Sequence, residues 1–161
     1  MNKLIGTLLA GMFALAQLGA QAQVSDHATA SLNVHALGAD HAAVRASRDF
    51  LQRAGEQKEE QWYKESAGYE AKYTDGTVKA AYWYDKNGRW VYTILTYGED
   101  KLPEEVRGFV RSHWYDFNIT WIKEVHQAQD VVYVVHIENN KAWKEVAVQD
   151  GESRVLKEFC K

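Results

Sequence analysis

The chain has 161 residues, with 19 Lys and Arg against 22 Asp and Glu and a formal charge of −3. That balance leaves no basic field for nucleic acid or anionic lipid, while 46% hydrophobic residues supply material for a sizeable core. Cys160 stands alone, so an internal disulfide is excluded, and a near-terminal thiol without consequence or a link between chains are the readings left for it.

Residues 1–22 read as a secretory signal peptide. Lys3 supplies the basic start, Leu4–Leu18 the apolar run, and Ala20-Gln21-Ala22 a small-x-small cleavage site before Gln23. The run is too short and wrongly flanked for a spanning helix, and no cysteine follows it to carry a lipid. The expected product is an exported chain of residues 23–161, periplasmic or secreted, without a membrane anchor. Residues 23–39 lack periodicity and read as a flexible leader.

Asp40 is placed to cap a helix running to Ala54, with Val44, Ser47, Leu51 and Ala54 on one stripe, Phe50 beside it, and Gly55 as the stop. The Glu56–Glu60 charge run is a solvated loop or helix face. Trp62 follows, read as a core residue. Asp75-Gly76 then marks a two-residue hairpin. It pairs Tyr73 with Val78, Ala71 with Ala80 and Tyr69 with Tyr82. One face carries Tyr69, Ala71, Tyr73, Val78, Ala80, Tyr82 and Tyr84; the open face carries Glu70, Lys72, Thr74, Thr77, Lys79, Ala81 and Trp83. Asp85–Gly88 suits a bulged turn, which points Trp90, Tyr92 and Ile94 inward, where a two-residue turn would point them outward.

Pro103 opens a second helix with Glu104 and Glu105 in its first turn and Val106, Phe109, Val110 and His113 as its buried stripe. Trp121 is again read as core. A second hairpin at Asn139-Asn140 sets Tyr133, Val135, Ile137, Ala142, Val146 and Val148 inward. Val134, His136, Glu138, Lys141, Trp143 and Glu145 fall on the open face. Lys144 lands among the inward residues, which signals a bulge or a slipped register.

A shift of 64 positions carries Tyr69 onto Tyr133, Asp75-Gly76 onto Asn139-Asn140, Tyr82 and Tyr84 onto Val146 and Val148, and Val91 onto Val155. Turn chemistry and apolar phase both survive the shift. The expected fold is therefore α+β, a tandem repeat of a helix plus strands, with a first unit over 40–101 and a second over 102–161.

The order of Trp62, the Tyr69–Tyr73 YEAKY strand, the Asp85–Gly88 turn and the Leu102-Pro103 pair resembles the exported PepSY-like proteins, also called β-lactamase-inhibitor-like proteins. The resemblance runs from Val44 to the C-terminus. It implies a helix packed on a four-stranded antiparallel sheet in each unit, and a protein partner gripped by an exposed aromatic sheet face. Departures occur at Trp143 and Lys144, which interrupt the second unit's alternation.

Enzyme signatures are missing. The six histidines (His27, His35, His41, His113, His126, His136) form no metal-binding spacing, although His27, His35 and His41 sit in or beside the leader, where adventitious metal binding is conceivable. There is no G-x-S-x-G, no S-x-x-K and no Gly-rich phosphate loop. No cofactor is expected. Trp83 and Trp143 are anomalous on a polar face. They are either covered by other chain segments or form a binding surface with Glu70, Lys72, Lys79, His136 and Glu145 as its polar rim. The functional expectation is a non-enzymatic binding module, restraining an exported hydrolase or peptidase. The alternatives are a small-molecule or glycan binder that uses exposed aromatics, and a structural self-association module. The target, the oligomeric state, and whether the two units make one eight-stranded surface or two hinged sheets are not legible.

Overall fold

The computed structural model describes residues 40–57 and 59–161. The expected signal peptide and leader, with His27 and His35, lie outside the described residues.

Helix α1 (His41–Ala54) begins where Asp40 Oδ1 accepts the Ala42 and Ala43 amides, and it ends at Gly55, whose φ of 72° few other residues adopt. Four strands follow: β1 (Gln61–Glu65), β2 (Gly68–Asp75), β3 (Val78–Asp85) and β4 (Trp90–Tyr97). A 3₁₀ turn (Glu99–Lys101) leads into α2 (Glu104–His113). The chain closes with β5 (Asn118–Gln127), β6 (Asp130–Glu138), β7 (Ala142–Gln149) and β8 (Glu152–Cys160).

All eight strands form one antiparallel sheet in sequence order. This overturns the expected tandem repeat of helix plus four-stranded sheet. β4 pairs with β5 from Thr93↔His126 to Tyr97↔Ile122, so the hydrogen-bond ladder runs through the boundary of the two expected units and joins them in one surface. Leu95 packs against the residues beneath both helices, which makes the apolar layer continuous as well.

Both helices cover the same face. Ala43, Ala46 and Phe50 of α1 lie over Trp62, Ala71, Tyr82 and Tyr84, and Phe50 meets Trp62 and Tyr82 edge-on at 5.5 and 5.1 Å. Burying a ring such as Phe50 is worth about 1.5–3 kcal/mol. The buried stripe of α1 is thus Ala43, Ala46 and Phe50, whereas Val44 and Leu51 are 39% and 50% exposed. The expected stripe was rotated because small alanines, which admit close helix–sheet approach, were passed over for larger side chains. In α2, Val106 and Val110 are buried as expected and Phe109 is partly so, but His113 is exposed and stacks on Phe109.

Three registers need correction. The first hairpin turns at Gly76-Thr77, so Tyr73 faces Ala80, Ala71 faces Tyr82 and Tyr69 faces Tyr84. The slip is two residues, and with a side-chain period of two every face is preserved. In β4, Trp90 is on the helix side, but the pairing shifts from Tyr84↔Trp90 to Trp83↔Tyr92, so Tyr92 and Ile94 point to the open side. In the second hairpin Ile137 faces Lys144 without a break, and the irregularity lies between β7 and β8 at Glu145/Val146. Lys144 stays on the helix side because its ammonium meets the Glu158 carboxylate and lies 5.6 Å from the Phe117 ring.

Candidate binding face

With both helices on one side, the other side of the sheet is uncovered among the described residues, and the register fixes what it displays. A first aromatic pair forms on β3 and β4. Trp83 and Tyr92 are cross-strand partners whose rings stack at 5.7 Å with 24° between planes. Opposite Trp83 on β2 lies Glu70, which is only 4% exposed. Lys72 brings its ammonium to 2.7 Å from the Glu70 carboxylate and 4.9 Å from the Tyr63 ring. Burial dominates, however, and pushes the Glu70 carboxyl above the usual range despite that partner.

A longer aromatic row crosses the last four strands. The Trp121 ring stacks on His136 at 4.8 Å, His136 on Trp143 at 5.5 Å, and Trp143 on Phe159 at 6.1 Å, with interplanar angles of 17°, 26° and 21°. Strand pairing sets two of these contacts, since Trp121 faces His136 and Trp143 faces Phe159; His136 itself faces Glu145 and meets Trp143 diagonally. Thr120 Oγ1 lies 2.7 Å from His136 Nδ1 and anchors the imidazole between its two indoles. At one end the Lys123 ammonium sits 5.3 Å over Trp121; at the other, Phe159 ends the row at the sheet edge, 55% exposed. Lys157 flanks the row, 3.4 Å from Glu145.

Between the two aromatic groups runs an apolar strip of Val125, Val132, Val134 and Ala147, with Ile94 and Leu156 packed against it. A shallow depression of about 380 Å³ lies toward β2 and β3, bordered by Lys72, Thr74, Lys79, Ala81, Ile94 and Thr96.

All seven expected site residues therefore lie on this face, but in two groups. Glu70, Lys72 and Trp83 belong to the first, with Lys79 beside the depression; His136, Trp143 and Glu145 belong to the second. Trp121 was expected in the core and is the correction here: the pairing of β5 with β6 is irregular between Ile119 and Trp121, which turns the indole outward. The sequence signal was Ile119 and Ile122, both buried yet three apart, a spacing no regular strand can put on one face. Tyr92, Lys123 and Phe159 were missed as well.

No group of three or more metal-ligating side chains occurs among the described residues, and no helix there is long and apolar enough to cross a membrane.

No family model and no curated protein matches the chain. Solved structures do. A DUF2874 family protein from Bacteroides ovatus ATCC 8483 superposes with a TM-score of 0.59 at 14% identity, covering 72% of this chain and 85% of the other. A protein from Bacteroides eggerthii DSM 20697, described provisionally as periplasmic, gives 0.58 at 13% identity, with 72% and 86% covered. A BLIP-like protein from Bacteroides fragilis NCTC 9343 gives 0.57 at 18% identity, with 72% and 84% covered. The PepSY half of the expected resemblance finds no counterpart among these neighbours; what they share with this chain is the BLIP-like, or β-lactamase-inhibitor-like, fold.

Proposed function

We propose that the chain is an exported, non-enzymatic module that binds a partner protein through the open face of its sheet. The observation that carries this reading is the Trp121–His136–Trp143–Phe159 row, four rings held on the side of the sheet that neither helix covers. Aromatic groups on a rigid platform, rimmed by paired charges such as Glu145–Lys157, are the anatomy of a binding hot spot. The periplasmic description of one neighbour and the inhibitor-like description of another favour an exported enzyme, a hydrolase or peptidase, as the partner held in check.

Ring geometry favours a protein over a glycan. Sugars stack on open ring faces, whereas His136 and Trp143 each lie between two near-parallel neighbouring rings. The test is capture of envelope proteins from the producing cells on residues 23–161, followed by titration of the purified candidate. A partner that binds the native chain and loses affinity at least tenfold with Trp121→Ala/Trp143→Ala supports the reading. Equal affinity for both, with the variant folded, overturns it.

A further inference from the structure

The open face carries a second ordered feature, a row of cations at right angles to the strands. Strand pairing aligns Lys79 with Thr96, Thr96 with Lys123, Lys123 with Val134, Val134 with Ala147 and Ala147 with Arg154. These six residues, one on each of β3 to β8, form one transverse line on the uncovered side. Its middle is low, because Val134 and Ala147 are buried, and its cations stand at both ends and near the centre.

The line itself contains no acid. Elsewhere on this face Glu70 holds Lys72, Glu145 faces Lys157 and Glu138 meets Lys161, while Glu65, Glu152 and Glu59, at the border of the depression, make no ion pair among the described residues. Among the described residues, Lys79, Lys123 and Arg154 make no ion pair at all. Three unpaired cations thus share one acid-free line on the face that also carries the aromatic row. Lys123 joins the two features, since its ammonium lies over Trp121.

Resting on the protein-binding reading, we infer that the partner presents an extended acidic segment that lies across the strands along this row, beside the aromatic rings. The spacing sets its length. Strands are about 4.8 Å apart, so Lys79 and Lys123 are about 10 Å apart, and Lys123 and Arg154 about 14 Å. An extended peptide advances about 3.3 Å per residue, so some seven residues span the line. The depression beside Lys72, Lys79 and Thr96 receives the end of the segment that reaches β3. Complementary charge here steers association and fixes orientation, while the rings supply the burial.

The probe is a fluorescein-labelled peptide of about twelve residues alternating Asp and Thr, long enough for the row at about 3.3 Å per residue, compared with its Asn-Thr counterpart by anisotropy. The expected result is binding of the Asp peptide at least tenfold tighter than the Asn peptide, weakened by salt. It is lost in Lys79→Glu/Lys123→Glu/Arg154→Glu, reduced stepwise in the single Gln variants, and unchanged in Lys86→Glu, on a turn away from the row. Equal binding of the two peptides, or indifference to the triple reversal, overturns the inference. A wild-type chain that dimerises while the triple variant sediments as a monomer assigns the row to a second copy and also overturns it. The partner captured above separates the two readings. Dependence on Trp121 and Trp143 without dependence on the cations removes the acidic segment and leaves the protein-binding reading intact. Independence from both removes the two together.

Discussion

The Tyr69 hydroxyl donates to Asp40 Oδ2 at 2.5 Å, tying the residue that caps α1 to the second strand of the sheet. The same carboxylate accepts two helix amides and faces the Lys64 ammonium at 3.1 Å. The Tyr69 hydrogen bond, then Lys64 and the amides, hold the Asp40 carboxyl down at about 2, against a usual 3.8. The proton therefore binds the unfolded chain more readily than the folded one. Asp40 stabilises the fold fully above pH 3.8, and that contribution disappears as the pH falls through about 2. Asp40→Asn is expected to unfold at lower urea than wild type at pH 6, with the gap closing toward pH 2. A gap that persists unchanged at pH 2 would mean that the carboxylate's charge is irrelevant there.

Gly88 decides how closely α1 approaches the β3–β4 turn. A Cβ built on it would lie 1.9 Å from the Ala42 carbonyl oxygen, and its φ of 72° is already unfavourable for other residues. Gly88→Ala must both strain the turn and push the helix off the sheet, so a loss of about 3 kcal/mol is expected. Gly76 shares the positive φ, at 56°, but a Cβ there meets nothing, so Gly76→Ala should cost only about 1 kcal/mol. Urea midpoints of the two variants measure the difference. Equal losses would show that backbone strain alone, and not the helix contact, sets the requirement at Gly88.

Much of this architecture could be read from period and turn chemistry. Asp40 and Gly55 bound α1 because capping is local, and the faces of β2 and β3 came out right even with the hairpin slipped by two. What could not be read were the places where a strand gains a residue. The shift after Trp90 reverses Tyr92 and Ile94, and the one before Trp121 moves an indole from the core to the open side. Bulges are set by what neighbouring strands and helices require, which local alternation does not encode. For the same reason the sequence left open whether the units form one sheet or two: the pairing of Tyr97 with Ile122 spans a whole helix and leaves no short-range mark. Trp83 and Trp143 were legible as misfits on a polar face and His136 as part of its rim, but Tyr92, Trp121 and Phe159 lay on strands whose phase was hidden.

Trp143 and Trp62 separate the two uses of tryptophan in this chain. Trp62 is 1% exposed beneath α1, packed by Phe50 and Tyr84, so Trp62→Ala should cost about 3–5 kcal/mol and leave an aromatic-lined cavity. Trp143 is part of a cross-strand stack open to water, where Trp143→Ala removes only pair interactions worth about 1 kcal/mol. Thermal unfolding of the two variants should differ accordingly, while partner affinity should respond in the opposite order. A Trp143→Ala variant as unstable as Trp62→Ala would make the row a structural element of the sheet and remove it as the anchor of the interface.

Glu70 should behave as a buried carboxyl that the fold would rather keep neutral. Burial raises its pKa above the usual 4.5 more than Lys72 lowers it, so the folded chain holds the proton more tightly than the unfolded one. The stabilising effect of that proton is fully present below pH 4.5 and lost as the pH rises through the higher folded value. At neutral pH the ionised group is thus a net cost, which Glu70→Gln relieves while keeping the shape and a hydrogen-bond acceptor for Lys72. The variant should melt above wild type at pH 7.5, and the difference should vanish by pH 4 once both side chains are neutral. A variant that melts lower at pH 7.5 would show that the 2.7 Å contact with Lys72 outweighs burial. The charge on Glu70 would then be part of what holds the β2–β3 end of the face in place.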